Sequence, residues 1–253
     1  MELWTAQHAY TLLPAIVVMI VIGLLLRRWL GKKEYRVRLI PVQILTVILV
    51  ALEVGKQLYS FMRGYDLYHI PLHFCSLFLF VLPVFSFYRG KRQHAVQGIT
   101  AAICGSLFLL MLIYPNLIYG SWNIEAFFKG YLDFHTVAFH NIVMLVFVLI
   151  LCLDLYEPRK KGNWMPCVWF TLGFCVISAS MAQILKTNYA NFYHCNIPPC
   201  EAIRLSLQPV LGTVVTQILY VSIVSALTIG FVLMCYAIYR GLYKLTHRKQ
   251  TVA

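Results

Sequence analysis

Long apolar runs alternate along this chain with short polar stretches. The runs cover about residues 10–26, 39–61, 71–88, 95–114, 133–155, 164–185 and 210–239. Each is close to the roughly 20 residues that an α-helix needs to cross a hydrocarbon core about 30 Å thick. The pattern predicts an all-α fold, a polytopic membrane bundle of seven transmembrane helices. No internal repeat is visible, so an inverted-repeat transporter is not suggested. Nothing long enough for a soluble domain is left over, and residues 1–253 read as a single integral membrane domain.

The connections add detail. The stretch 116–132 carries Tyr119, Trp122, Phe127 and Phe128, which suits a segment lying in the outer headgroup region. The stretch 186–193 continues span six with polar and aromatic residues and reads as a lid or pocket wall. A short polar stretch, 201–208, precedes the last span.

Composition agrees with a membrane protein: 60% of residues are hydrophobic and 12% charged, against about 25% charged in soluble domains. Lys and Arg number 21 and Asp and Glu nine, an excess that raises the question of nucleic acid. Position answers it. Sixteen of the 21 basic residues fall in four clusters, 27–38, 89–92, 159–161 and 240–249, separated by nearly neutral loops. Basic clusters at every second connection are the positive-inside pattern, which places the N-terminus outside and the C-terminus in the cytoplasm. No nucleic-acid partner is expected.

On this topology Glu53, Lys56, His73, Cys75, His135, His140, Asn188 and Tyr189 all fall in the outer half of the bundle. Charged and polar groups at membrane depth face a protein interior or a wet cavity. Glu53 and Lys56, three residues apart, share one helical face, as a buried ion pair or as cavity lining. Pro71 suits the first turn of a helix, which would put Cys75 about one turn inside span three. His73, two residues away, would point to another side of that helix, so a base for Cys75 must come from elsewhere. His140 is first by depth and His135 second. A thiol beside an imidazole can form a thiolate that attacks an ester carbonyl.

Competing readings stand beside this one. Cys104, Cys152, Cys167, Cys175 and Cys235 lie in apolar runs, where a thiol packs as a small hydrophobe, and Cys75 can be read the same way. His69 and His73 with Cys75, or His135 and His140, could ligate a metal. Pro71 interrupts the first group and a spacing of five splays the second, so no metal and no cofactor is expected. Cys195 and Cys200 bracket a polar loop at a spacing that permits a disulfide.

Three motifs carry a resemblance. They are Ile70-Pro71-Leu72-His73-Phe74-Cys75-Ser76, the histidine His140 near the start of span five, and Thr187-Asn188-Tyr189 followed by Pro198-Pro199. In these the chain resembles the YwaF family of bacterial integral membrane proteins. That family is similar to a vertebrate transmembrane acyltransferase acting on phospholipids and, more distantly, to androgen-induced membrane hydrolases of fatty-acid esters. The resemblance implies Cys75 as nucleophile, His140 as general base and acid, and a bacterial plasma-membrane location. Asn141 after the histidine, and His194, Cys195 and Cys200 in the following loop, depart from the family pattern.

The expectation is a CoA-independent acyltransferase or transacylase. Its partner is a membrane phospholipid or other lipid ester, and Glu53, Lys56, His73, His135, Asn188 and Tyr189 bind it. The alternative is a proton-coupled transporter or lipid-binding membrane protein with no covalent chemistry.

Overall fold

The structure, a computed structural model, describes residues 4–119, 126–159 and 161–247. Trp122, Lys160, Arg248 and Lys249 lie outside these. Nine α-helices are present among the described residues: α1 (Ala6–Leu30), α2 (Tyr35–Met62), α3 (Phe78–Phe87), α4 (Gln93–Ile113), α5 (Asn116–Tyr119), α6 (Tyr131–Cys152), α7 (Trp164–Leu185), α8 (Pro198–Leu211) and α9 (Thr213–His247). Six of them, α1, α2, α4, α6, α7 and α9, are long and apolar enough to cross a membrane, and a shorter apolar helical stretch, Phe74–Phe87, supplies the seventh. The chain is a multi-pass helical membrane protein.

α4 and α6 form the centre of the bundle. α1 and α2 pack on α6, α9 packs on α4 and α7, and α3 lies between α2 and α4. The run Cys104-Gly105-Ser106 makes the central contact close. A Cβ on Gly105 would stand 2.9 Å from the ring of Phe147 of α6, so glycine there leaves that ring its place between the two helices. On the outside, α1, α2 and α9 expose rows of Val, Ile and Leu, as a lipid-facing surface requires.

All four basic clusters meet at one end. Arg38 donates to the carbonyls of Leu153 (2.6 Å) and Asp154 (3.2 Å), and Arg27 lies 3.7 Å from the Asp154 carboxylate. Arg89 stands over the Tyr35 ring and Arg240 over Trp164. Tyr156, Tyr236 and Tyr239 are buried beneath them, with the Tyr156 and Tyr236 hydroxyls 2.7 Å apart.

One expectation is corrected. Pro71 does not open a helix: residues 70–73 are non-helical, a 3-10 turn spans Phe74–Leu77, and α3 follows it. Cys75 therefore sits in that turn and not a full turn inside a helix. α3 reaches α6 through the Phe78 and Phe139 rings, 6.3 Å apart. The polar stretch before the last span forms a helix of its own, α8, with no buried residue.

The short third span has a consequence. Fourteen residues, Phe74–Phe87, rise about 22 Å, well under the ~30 Å core. The non-helical segment before it is drawn into the bundle to make up the difference. Irregular backbone at membrane depth is tolerated where protein groups satisfy it.

Candidate functional site

The site begins on one face of α2. Glu53, Lys56, Gln57 and Ser60 follow the i, i+3, i+4, i+7 spacing that aligns side chains along a helix, and α2 turns this face toward α6 and the segment 63–73. Lys56 Nζ lies 2.6 Å from Glu53 Oε1. Gln57 Nε2 donates to the same oxygen at 2.7 Å. The other carboxylate oxygen faces His135 of α6, whose Nε2 is 3.1 Å away. That nitrogen makes no aligned hydrogen bond, so His135 and Glu53 attract through charge and proximity. Tyr131, one turn earlier on α6, donates to the Leu52 carbonyl at 3.0 Å. Its hydroxyl occupies the space that a Cβ on Gly55 would take.

The segment 63–73 is held by side chains that reach its carbonyls. Gln57 Nε2 donates to His69 O at 2.8 Å, His73 Nε2 to Tyr68 O at 3.1 Å, Tyr189 Oη to Leu67 O and Ser178 Oγ of α7 to Leu72 O. Ser60 Oγ pairs with His69 Nδ1 at 2.7 Å, and Tyr65 donates to Gln57 Oε1 at 2.7 Å. A buried carbonyl without a donor costs about 1–3 kcal/mol, so these donors make the non-helical path affordable. The His73 ring is tilted against Tyr68 and edge-on to Tyr189, with centroids 4.3 and 5.5 Å apart.

Cys75 follows, half-buried and unbridged, within electrostatic range of Lys56 and Glu53. His140 lies deeper on α6. Its Nδ1 is 2.6 Å from the Thr136 carbonyl. A carbonyl only accepts, so Nδ1 carries the proton and Nε2 keeps the lone pair. Nε2 makes no hydrogen bond. The ring packs edge-on against Tyr119 and Phe139, with the His135 ring and the Lys56 ammonium among its neighbours.

The expected residues thus divide. Glu53, Lys56 and His135 form one tight polar group. His73, Cys75 and His140 each feel the charge of Lys56, but among the described residues no hydrogen bond joins Cys75 to His140. Tyr189 is fully buried and clamps the segment. The Asn188 side chain organises the loop after α7, accepting from the N–H groups of Tyr193 and His194 at 3.2 Å and donating to Asn196 at 3.1 Å. Cys195 and Cys200 are both free thiols; Cys195 N–H instead donates to Glu201 Oε2 at 2.9 Å.

Beside the polar group, an apolar groove of about 260 Å³ runs along the lipid-facing side of α2 and α3. Val50, Val54, Leu58, Phe61 and Leu79 line it, with Glu53 and Gln57 among its walls.

The sequence model of the TMEM164 family matches residues 3–239, nearly the whole chain. The chain belongs to the TMEM164 family. Searches of curated proteins and of solved structures return no match. The part matched to the TMEM164 family contains every site residue from Glu53 to Tyr189.

Several residues of this TMEM164-family site were not singled out from sequence. Gln57 and Ser60 continue the Glu53 face at helical spacing, a signal that was available. Thr136, four residues before His140, is fixed by helix geometry. Tyr131 and Ser178 act through contacts between distant segments that no local pattern announces.

Proposed function

We propose that this chain transfers acyl groups between membrane lipids, without CoA, through a thioester on Cys75. The observation that carries this reading is the His140 tautomer. With Nδ1–H held by Thr136, Nε2 is left with its lone pair to take a proton, and both His140 and Cys75 feel the charge of Lys56. The motif resemblance assigns the same two residues.

The chemistry balances as follows. His140 Nε2 takes the thiol proton while Sγ bonds to the acyl carbon. The ester C–O bond breaks, and the departing alkoxide takes the proton from His140. A second lipid hydroxyl then gives its proton to His140, its oxygen bonds to the acyl carbon, and the C–S bond breaks. The Cys75 thiolate recovers the proton. The positive charge of Lys56 favours the thiolate, and N–H groups at the start of the Phe74–Leu77 turn offer donors to the oxyanion. Neither a metal nor a cofactor is needed.

Lys56, positioned by Glu53 and His135, receives a phosphodiester, and His73 contacts the headgroup. Asn188 and Tyr189 shape the wall over it. The basic end is cytoplasmic on the positive-inside rule, so the site opens toward the outer leaflet of a bacterial plasma membrane, with the lateral groove taking an acyl chain. We read residues 1–253 as one membrane domain.

The test uses purified protein with a phospholipid carrying a labelled acyl chain and an unlabelled lysolipid acceptor. Cys75→Ser and His140→Ala each lower transfer by about 10²–10⁴-fold. Unchanged transfer in both variants overturns the catalytic assignment.

One observation favours a second reading: the tight polar group is Glu53–Lys56–His135, with no direct bond from Cys75 to His140. A proton-coupled carrier or lipid-binding protein would use that group and leave Cys75 idle. An acyl adduct on Cys75, found by mass spectrometry after incubation with lipid, separates the two.

A further inference from the structure

At the basic end, far from Cys75, a polar cavity of about 330 Å³ opens among Tyr35, Lys91, Gln93, His94, Gln97 and Arg159. These residues come from three separate parts of the chain: the start of α2, the start of α4 with the turn before it, and the connection from α6 to α7.

Part of the lining is already engaged. Gln97 Nε2 donates to the Tyr35 hydroxyl at 2.8 Å. His94 Nε2 donates to the Glu157 carbonyl at 2.9 Å, and its Nδ1 accepts from Asn163 at 3.1 Å. With both nitrogens so occupied, His94 is a neutral, fixed wall.

The rest is not engaged. The Lys91 ammonium, the Arg159 guanidinium and the Gln93 amide make no hydrogen bond or ion pair among the described residues. Arg92, at the N-cap of α4, gives that helix no side-chain cap, and the Gln93 backbone N–H already donates to the Gly90 carbonyl at 3.0 Å. Of the acidic residues at this end, Asp154 is already paired with Arg27, Glu157 bears electrostatically on Tyr243, and Glu34, at the N-cap of α2, is exposed to solvent next to Tyr35.

The arrangement is specific in sign. One point charge, one planar guanidinium able to donate two parallel bonds, and a neutral amide line one open polar depression of ligand size. This set suits a tetrahedral phosphate, which can accept from all three at once, better than a planar carboxylate or a halide.

We propose that this cavity is a phosphate-binding site on the face opposite the candidate acyl-transfer site, and that it is independent of that chemistry. Two sources share the ligand chemistry: the headgroup of an anionic phospholipid in the adjoining leaflet and a soluble phosphate compound. Depth favours the lipid, since Tyr35 opens the membrane-crossing helix α2 at the headgroup level.

The test measures binding of dioctanoyl phosphatidic acid to the purified full chain in a neutral detergent, with dioctanoyl phosphatidylcholine as the zwitterionic comparison and inorganic phosphate as competitor. Lys91→Ala with Arg159→Ala weakens phosphatidic acid binding by about ten- to thirtyfold. Gln93→Leu, which changes no charge, weakens it about threefold. Lys32→Ala with Lys33→Ala, removing equal charge from the same end outside the cavity, leaves it within about twofold. Competition by inorganic phosphate assigns the site to a soluble phosphate, and its absence assigns it to a lipid headgroup. The proposal is overturned if the Lys91/Arg159 variant binds like wild type, if the Lys32/Lys33 variant loses as much, or if phosphatidylcholine binds equally well.

Discussion

Lys56 Nζ and Glu53 Oε1 meet at 2.6 Å one turn apart on α2, and the Lys56 charge bears on His73, Cys75 and His140 alike. Both side chains are largely buried, at 15% and 9% exposure. Removing one charge strands the other. Lys56→Met alone is expected to destabilise the protein by about 3–5 kcal/mol, and Lys56→Met with Glu53→Gln by much less. Thermal unfolding in detergent, compared across the single and double variants, checks this.

The same ammonium group bears on the reactivity of Cys75. In a protein retaining Cys75 as its only cysteine, Lys56→Met should slow alkylation at fixed pH by about three- to tenfold, because the thiolate loses its nearest cation. An unchanged rate would show that Lys56 serves the ion pair alone.

The segment 63–73 depends on donors from outside it. Tyr189→Phe removes the bond to Leu67 O and Ser178→Ala the bond to Leu72 O. Each is expected to cost about 1–3 kcal/mol. Backbone hydrogen exchange should rise in residues 63–77 while α4 stays protected. Uniform loosening of the whole bundle would contradict the clamp.

Acid should act outside the spans, in the loop and helix after α7. Glu201, paired with Arg204, has its pKa lowered from 4.5 to about 2. Its contribution is present above 4.5 and fades as pH falls from 4.5 toward 2. The expected readout is faster hydrogen exchange in residues 195–211 below pH 4.5.

The helices were legible because hydropathy and helical spacing are local properties. The span expected at 164–185 coincides with α7 (Trp164–Leu185), and the others agree to within a few residues, the third and last spans apart. Pro71 misled for a physical reason. A proline fits a helix start, but here Gln57, Tyr189 and Ser178 supply donors to an extended path, and those partners lie between ten and more than a hundred residues away in sequence. The pairing of Lys56 with Glu53 followed from their spacing. The approach of His135 to Glu53 did not, because it requires the rotation of α6 against α2.

By itself, the sequence determined the membrane-crossing helices and the gathering of basic clusters at one end, and it marked candidate residues for chemistry at the other. Each of these follows from apolar run length, charge position or spacing within one helix. Only the tertiary structure decided that Cys75 lies in a 3-10 turn at the start of the short third span, that Lys56 bears on three candidate groups, and that Tyr189 clamps the segment before that turn while Asn188 organises its own loop. Those outcomes depend on how helices pack against each other, as at Gly105, and on hydrogen bonds between distant segments, which no local pattern encodes.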